Sequence, residues 1–428
     1  MSTEANDTHI QDEIASLAAA EVIAGSLGEY ARIWWTRVRG GESGALPVIL
    51  GLVVIVVYFD IRTSLFLSAG NLVNLMDQAA WIVMLGMAEV FVLLLGEIDL
   101  SLGYSSVCGA VIAVWMVSPG EHFPWWIAAA AGIAFPAAYG ALQAVIITWL
   151  RLPSFVVTLG GLLMGQGLLL FLVNTAAPNS GGTIRLPSTN ILYYIEGGQM
   201  SPVASWIVMA AAVIAAGAVF VIRDTRRRAS NLAAPPASIT ALKIVVMAIA
   251  GVVVVLIGNT NRGVSIVLRG VPWVVLVVLV VLVAWSTLLG RTKFGRYVYA
   301  IGGNAEAARR AGINLSRVRI LAFTLAGVTA GIMGIILASQ LGSISNDIDG
   351  GQNVLYAVAA AVIGGTSLFG GRGRMLGAVL GGLIVAVIYN GLYLLGLNAD
   401  AQDMWTAAVL LAAVAVDTVA RRRRPDGS

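Results

Sequence analysis

Hydrophobic runs long enough to cross a bilayer recur from about residue 44 to residue 420, and nothing else in the chain constrains its fold as strongly. A spanning helix needs about 20 apolar residues, within a range of about 17–25. Twelve segments meet or approach that length, at roughly 44–59, 79–96, 102–117, 124–149, 154–173, 202–222, 243–258, 271–289, 320–341, 353–369, 375–396 and 402–420. Charged residues make up 11% of the 428 and hydrophobic ones 58%, whereas a soluble domain carries about 25% charged. The expectation is an all-α polytopic membrane protein of about 12 (10–12) transmembrane helices. The first, third and seventh runs are short, so either they extend into interfacial sequence or one of them re-enters the membrane instead of crossing it.

Loop charge sets an orientation. With both termini cytoplasmic and all twelve runs crossing, 22 of the 26 basic residues fall on the inner side, and Arg62, Arg185, Arg262 and Arg269 fall outside. The layout is then a cytoplasmic tail at 1–43, a membrane domain at 44–420 and a basic cytoplasmic tail at 421–428. The acidic N-terminal stretch does not read as a signal peptide. Residues 14–23 read as a solvated tail, with a short surface helix as the alternative. The inner segment RDTRRRASNLAAPPASIT, within a linker at 223–242, reads as a flexible basic connection at the lipid headgroups. The outer stretch 174–201 is nearly neutral and rich in turn formers. The basic balance is a cytoplasmic-face effect, and no nucleic-acid partner is expected.

Several chemistries are disfavoured by what the sequence lacks. It has no Gly-x-x-x-x-Gly-Lys-Ser/Thr, Gly-x-Ser-x-Gly, His-Glu-x-x-His or Cys-x-x-Cys. Cys108 is the only cysteine, and His9 and His122 lie far apart, so neither an internal disulfide nor a metal site is expected.

The functional candidates are polar groups inside the apolar runs. VFVLLLGEIDLSLG, Val90–Gly103, sets Glu97 and Asp99 at a reversal between the second and third runs. Asp99, just before Ser101, suits a cap on the next helix, beside its positive end. Glu97 has no such role, which makes it a brace of the bundle or part of a passage. Glu89 sits within a run, where a charge costs at least ~2.5–3.5 kcal/mol, so it must face the bundle interior or be protonated. Gln143, Gln166, Asn174, Tyr389 and Asn390 would suit a wet pathway. Gln166 and Asn390 are equally well read as helix-to-helix links worth about 0.6–2 kcal/mol each. A shift of 268 residues aligns Gly96, Leu100, Gly103 and Gly109 with Gly364, Leu368, Gly371 and Gly377, as though two turns held equivalent places in two related bundles.

The loop at 290–319 contains RTKFGRYVYAIGGNAEAARRAGINLSRVR. Gly302-Gly303-Asn304 is a turn signal, Asn304 a good N-cap, and AEAARRA a helix former of about two turns that Gly312 would stop. Ala307, Ala308 and Ala311 would form a small-sided face, and Arg309 and Arg310 a charged one. A loop of this length with ordered character reads as a docking element.

GEIDLSLG at Gly96–Gly103, FGRYVYAIGGNAEAARRAGIN at Phe294–Asn314 and AVIGGTSLFGGRGRMLGAVLGG at Ala361–Gly382 together resemble the membrane permeases of bacterial ABC sugar importers of the ribose/xylose/galactose group. The xylose branch is the nearest match, and branched-chain amino-acid permeases should be more distant, with a different motif set. The resemblance implies a homodimer in the bacterial plasma membrane. It also implies an extracytoplasmic sugar-binding protein and a separate ATPase that uses ATP and Mg, with no cofactor in this chain. Glu306-Ala307-Ala308 and Gly312 fit the start of the importers' Glu-Ala-Ala coupling motif, which implies an ATPase contact through Asn304, Glu306, Ala307, Ala308, Arg309, Arg310 and Gly312. The later Ile-x-Leu-Pro part is missing, since Ile320 is followed by Leu321 and Ala322. The implied substrate is a monosaccharide: D-xylose first, then ribose, arabinose or galactose. The rival from another class is an ion-coupled secondary carrier with its ion site at Glu89, Glu97 or Asp99.

Overall fold

The computed structural model describes residues 46–178, 180–230, 232, 234–263 and 267–398, with isolated positions at 28, 32, 400, 401, 404, 405, 407, 408 and 411. Residues 14–23, most of the twelfth run and the 421–428 tail lie outside the described residues. In chain order the helices are α1 (Leu46–Arg62), α2 (Ala69–Leu93), α3 (Leu102–Met116), α4 (Trp125–Leu150), α5 (Ser154–Ala176), α6 (Tyr194–Gly197), α7 (Pro202–Ala229) and α8 (Ala237–Asn259). They continue with α9 (Trp273–Arg291), α10 (Lys293–Gly303), α11 (Ala305–Arg310), α12 (Leu315–Leu341), α13 (Gly350–Ile363) and α14 (Met375–Leu394). Among the described residues, α2, α4, α5, α7, α8, α9, α12 and α14 are each long and apolar enough to cross a membrane.

The first eleven expected runs each hold one of these helices, with shifted ends. The largest shift is at α2, which begins at Ala69, ten residues before the expected 79. Ser68 caps it by accepting the Asn71 N–H at 3.3 Å. The polar residues that disguised this start are used inside the bundle. The Asn390 side chain on α14 donates to Asn71 Oδ1 at 3.0 Å and Gln78 Oε1 at 3.1 Å, and Asn71 donates back at 2.8 Å.

The chain forms two compact units. In the larger, Val48–Gln199 with Pro272–Val414, α2 is the central helix: every residue from Ile82 to Leu94 is buried. It packs against α12, α13 and α14, while α12 also lies along α4 and α3. The α4–α12 contact is made backbone to backbone. A Cβ on Gly140 would come 2.5 Å from the Phe323 carbonyl oxygen, so the small residues set the helix spacing. The expected outer loop is structured. Its strand β1 (Thr183–Arg185) pairs antiparallel with β2 (Ser343–Ser345), Ile184 opposite Ile344. Ser339 Oγ donates to the Tyr193 carbonyl and accepts the Glu196 N–H, both at 2.9 Å.

The second unit is built around Met200–Val271 and holds the α7–α8 pair. Here the flexible linker expected at 223–242 is corrected, because α7 runs on through Ala229 and α8 starts at Ala237. Arg226, Arg227 and Arg228 fall in the last turn of α7, where cations favour the negative helix end. Thr240 donates to Asp224 at 2.6 Å and Arg228 to the Pro235 carbonyl at 2.7 Å, which ties the two helix ends together.

Candidate functional site

Beyond α2 the chain folds back into the bundle. Gly96 has φ +76, a left-handed turn that a side chain would strain. The extended residues that follow are held on several sides. Thr158 of α5 donates to the Ile98 carbonyl at 3.1 Å. Asp99 is fully buried, and its Oδ1 accepts the Ser101 N–H at 3.0 Å and the Ser101 hydroxyl at 2.6 Å. Gln143 of α4 donates to that same Ser101 oxygen at 2.7 Å. Asp99 therefore organises the residues that open α3.

The first turn of α3 meets the first turn of α13: a Cβ on Gly103 would fall 1.8 Å from the Gly350 carbonyl oxygen. Tyr104 donates to Asp349 at 3.3 Å across the same junction. Helices of 15 and 14 residues are each about 21–23 Å long, short of the ~30 Å hydrocarbon core. Two short helices thus start beside one another inside the bundle.

Glu97 makes a different connection. Its Oε1 accepts from Arg319 near the start of α12, and its Oε2 has no partner. A second turn, between α13 and α14, closes on the first, with the Gly371 N–H donating to the Leu94 carbonyl at 2.9 Å. The two stretches that echo one another in sequence are therefore in contact within one unit.

Helix α10 lies over this junction. The turn expected at Gly302-Gly303 is corrected: both residues are helical, and the chain breaks only at Asn304, which is extended at φ −157. The reason is the seat itself. A Cβ on Gly302 would lie 1.8 Å from the Leu94 carbonyl oxygen and 2.4 Å from the Gly371 nitrogen, so only glycine lets the helix rest on both turns. Tyr299 adds a hydrogen bond to the Gly373 carbonyl at 2.8 Å. On the other side of Asn304 stands α11. The Asn304 side chain accepts the Ala307 N–H at 2.9 Å, and Gly312, at φ +82, ends the turn. Ala308 is buried, while Glu306, Arg309 and Arg310 are exposed. Glu306 pairs with Arg309 at 2.9 Å and Arg310 at 3.2 Å, and these hydrogen bonds hold its carboxyl below the usual range.

The other candidates fall elsewhere. Glu89 is fully buried in α2, its two carboxylate oxygens without conventional hydrogen bonds, and near enough to Asp99 to interact electrostatically. Asn390 is committed to the amide cluster with Asn71 and Gln78. Gln166 is exposed on α5 and joins neither group. Sequence reasoning counted Arg319 only as a loop charge and did not separate α10 from its loop. The signal was present: Gly295, Val298 and Ile301, all buried, follow helical spacing through KFGRYVYAIGG.

A bundle of apolar helices with inward-folded turns and an exposed loop helix at one end is the build of a multi-pass membrane permease. The chain belongs to the family described as branched-chain amino acid transport system / permease component, whose model matches residues 71–226 and 186–414. It is a plasma-membrane protein of the ribose/xylose-type permease group. It is 34% identical to the xylose transport system permease protein XylH of Haemophilus influenzae over 385 residues, which is 88% of this chain and 96% of that one. XylH of Escherichia coli K12 is also 34% identical, over 90% of this chain and 96% of its own. The ribose import permease protein RbsC of that strain is 28% identical over the same shares. No solved structure matches the chain. The family heading is wider than the resemblance in the motifs: it is named for branched-chain amino acids, while these near-full-length relatives are named for pentoses.

Proposed function

We propose that this chain is the membrane subunit of an ATP-driven ABC importer that moves a monosaccharide, D-xylose first, into the cell. The support is the run of likeness to proteins named as xylose and ribose permeases, together with the absence of a P-loop from this chain. In this reading both termini are cytoplasmic and the membrane domain counts about 12 (10–12) segments, α3 and α13 being short ones, with 22 of the 26 basic residues on the inner side. An extracytoplasmic sugar-binding protein delivers substrate at the opposite face, and a second copy of the chain completes the passage. Ribose, arabinose and galactose are the next substrates to try.

The mechanism rests on one observation, the backbone contact of Gly302 with both turns. Helix α11 seats in a cleft of the ATPase, where Glu306, Arg309 and Arg310 meet groups of opposite charge and Ala307 allows close approach. ATP binding closes the two nucleotide-binding domains and displaces α11. Because α10 rests on the turns without intervening side chains, it passes the displacement to the short helices α3 and α13. The Glu97–Arg319 pair carries it by a second route through α12. A neutral sugar needs only weak polar contacts along such a passage.

Uptake of labelled D-xylose by cells with and without this chain is the test. The expected result is uptake that needs the ATPase. Uptake that collapses with an uncoupler but survives loss of the ATPase would assign the chain to the ion-coupled carriers instead.

A further inference from the structure

The cations of the two units are not used alike. In the larger unit Arg309 and Arg310 pair with Glu306, and Arg319 pairs with Glu97. In the second unit Arg223, Arg226, Arg227, Arg228 and Lys243 gather where α7 turns into α8. Asp224 is the single acid in Met200–Val271, and it is buried, bonded to Thr240 at 2.6 Å and to Arg223 Nε at 3.1 Å. Lys243 lies near enough to act on Asp224, so both helices contribute to one cluster. Arg228 donates to the neutral Pro235 carbonyl, which leaves its charge uncompensated. Among the described residues Arg226, Arg227 and Lys243 make no ion pair. The cluster begins where hydrocarbon ends. Pro202–Ile222 covers 21 residues, about 31 Å of helix, against a core of ~30 Å. Beneath the cations the surface is apolar. Val219, Ile222 and Arg226 follow helical spacing along one exposed strip of α7, and Lys243, Val246 and Ala250 do so on α8. Only 11% of either helix's apolar window is buried, so lipid is the hairpin's main neighbour.

We infer that the α7–α8 turn is a binding site for an anionic phospholipid, its phosphate held by Arg226, Arg227 and Lys243 and its acyl chains lying along the two strips. A free phosphate would use the cations alone, and an acidic protein surface would leave the strips unused. An anionic lipid meets both. Arginine forks suit phosphate oxygens, and a cation just beyond the hydrocarbon is drawn to anionic headgroups. The Thr240–Asp224 and Arg228–Pro235 bonds tie the helix ends together and so preset the spacing of the cations before lipid arrives.

The test is native mass spectrometry of the full chain in detergent, with phosphatidylglycerol and phosphatidylcholine offered in equal amounts. The chain should retain phosphatidylglycerol in preference. Arg226→Gln, Arg227→Gln and Lys243→Gln together should weaken that binding about 5-fold for each charge removed, the weight of one cation at an anionic surface. All three side chains are exposed, so phosphatidylcholine binding and the unfolding temperature should not change. The same loss of charge at Arg291, Lys293 and Arg317, exposed cations of the larger unit, should leave the preference as it was. Inorganic phosphate at the lipid's concentration should displace none of it. Equal retention of the two lipids by the wild type, an undiminished preference in the first triple variant, or displacement by phosphate would each overturn the assignment. An equal fall in the second triple variant would also overturn it, since the attraction would then be spread over the whole chain. Loss of ATPase capture in the first variant with its lipid preference intact would give the cluster to an acidic protein surface instead.

Discussion

The two ends of the larger unit each take in a glutamate, Glu97 partly buried and Glu196 buried, and they treat it in opposite ways. At the α11 end, Glu97 is paired with Arg319, and the surrounding turns are fixed by Gly302, Gly371 and the Asp99–Ser101–Gln143 bonds. At the other end, Glu196 of α6 is the more deeply buried, yet both its carboxylate oxygens lack a hydrogen-bond partner. Burial, reinforced by the nearby Asp77, pushes that carboxyl up to about 10. One end is a connected joint that can carry force. The other holds its glutamate neutral and is tied down by the β1–β2 ribbon and Ser339 instead.

The contrast is easiest to break at the joint. Gly302→Val would drive a side chain into the Leu94 and Gly371 backbone, which cannot move aside. We expect a loss of at least about 3 kcal/mol and little folded protein, read by thermal unfolding in detergent. Arg319→Ala leaves the partly buried Glu97 without its cation. It should cost roughly 2–4 kcal/mol, near the low edge for a buried pair, because Arg319 is 28% exposed. Exchanging the two charges should restore part of that.

At the opposite end the sign reverses. The folded chain keeps a proton on Glu196 that the unfolded chain releases, so its contribution is fully present below the ordinary value of 4.5 and is lost as pH rises toward about 10. Glu196→Gln should therefore stabilise by about 1–2 kcal/mol at neutral pH and flatten that decline. A destabilised Gln variant would show that Glu196 has an ionic role there. The smallest effect on stability is expected at α11. Glu306→Arg should leave the unfolding temperature unchanged and abolish both uptake and sugar-stimulated ATPase.

Much of this was legible in the sequence because lipid imposes so simple a rule. Runs of apolar residues marked the helices, and Asn304, Glu306 and Gly312 marked α11 with its cap and stop. Two kinds of feature were hidden. Contacts between distant residues leave no local trace, so nothing near Glu97 announced Arg319, 222 positions away. Polar residues can also disguise a helix when the bundle satisfies them, as Asn71 and Gln78 do at the start of α2. Gly302 misled for a related reason. A glycine pair before a good cap looks like a turn, but here the missing side chain serves helix packing.

The central claim is that α11, α10 and the two turns move as one body. Pulsed electron paramagnetic resonance measures this directly in a Cys108→Ala chain assembled with its ATPase. One spin label replaces exposed Ala307 on α11 and the other replaces Phe369, 82% exposed in the second turn. The account predicts the same Ala307–Phe369 distance with and without a non-hydrolysable ATP analogue, while the distance from Ala307 to a label at Ser345 on β2 changes. A change between Ala307 and Phe369 themselves would contradict it, for α11 would then swing free of the turns it is held to drive.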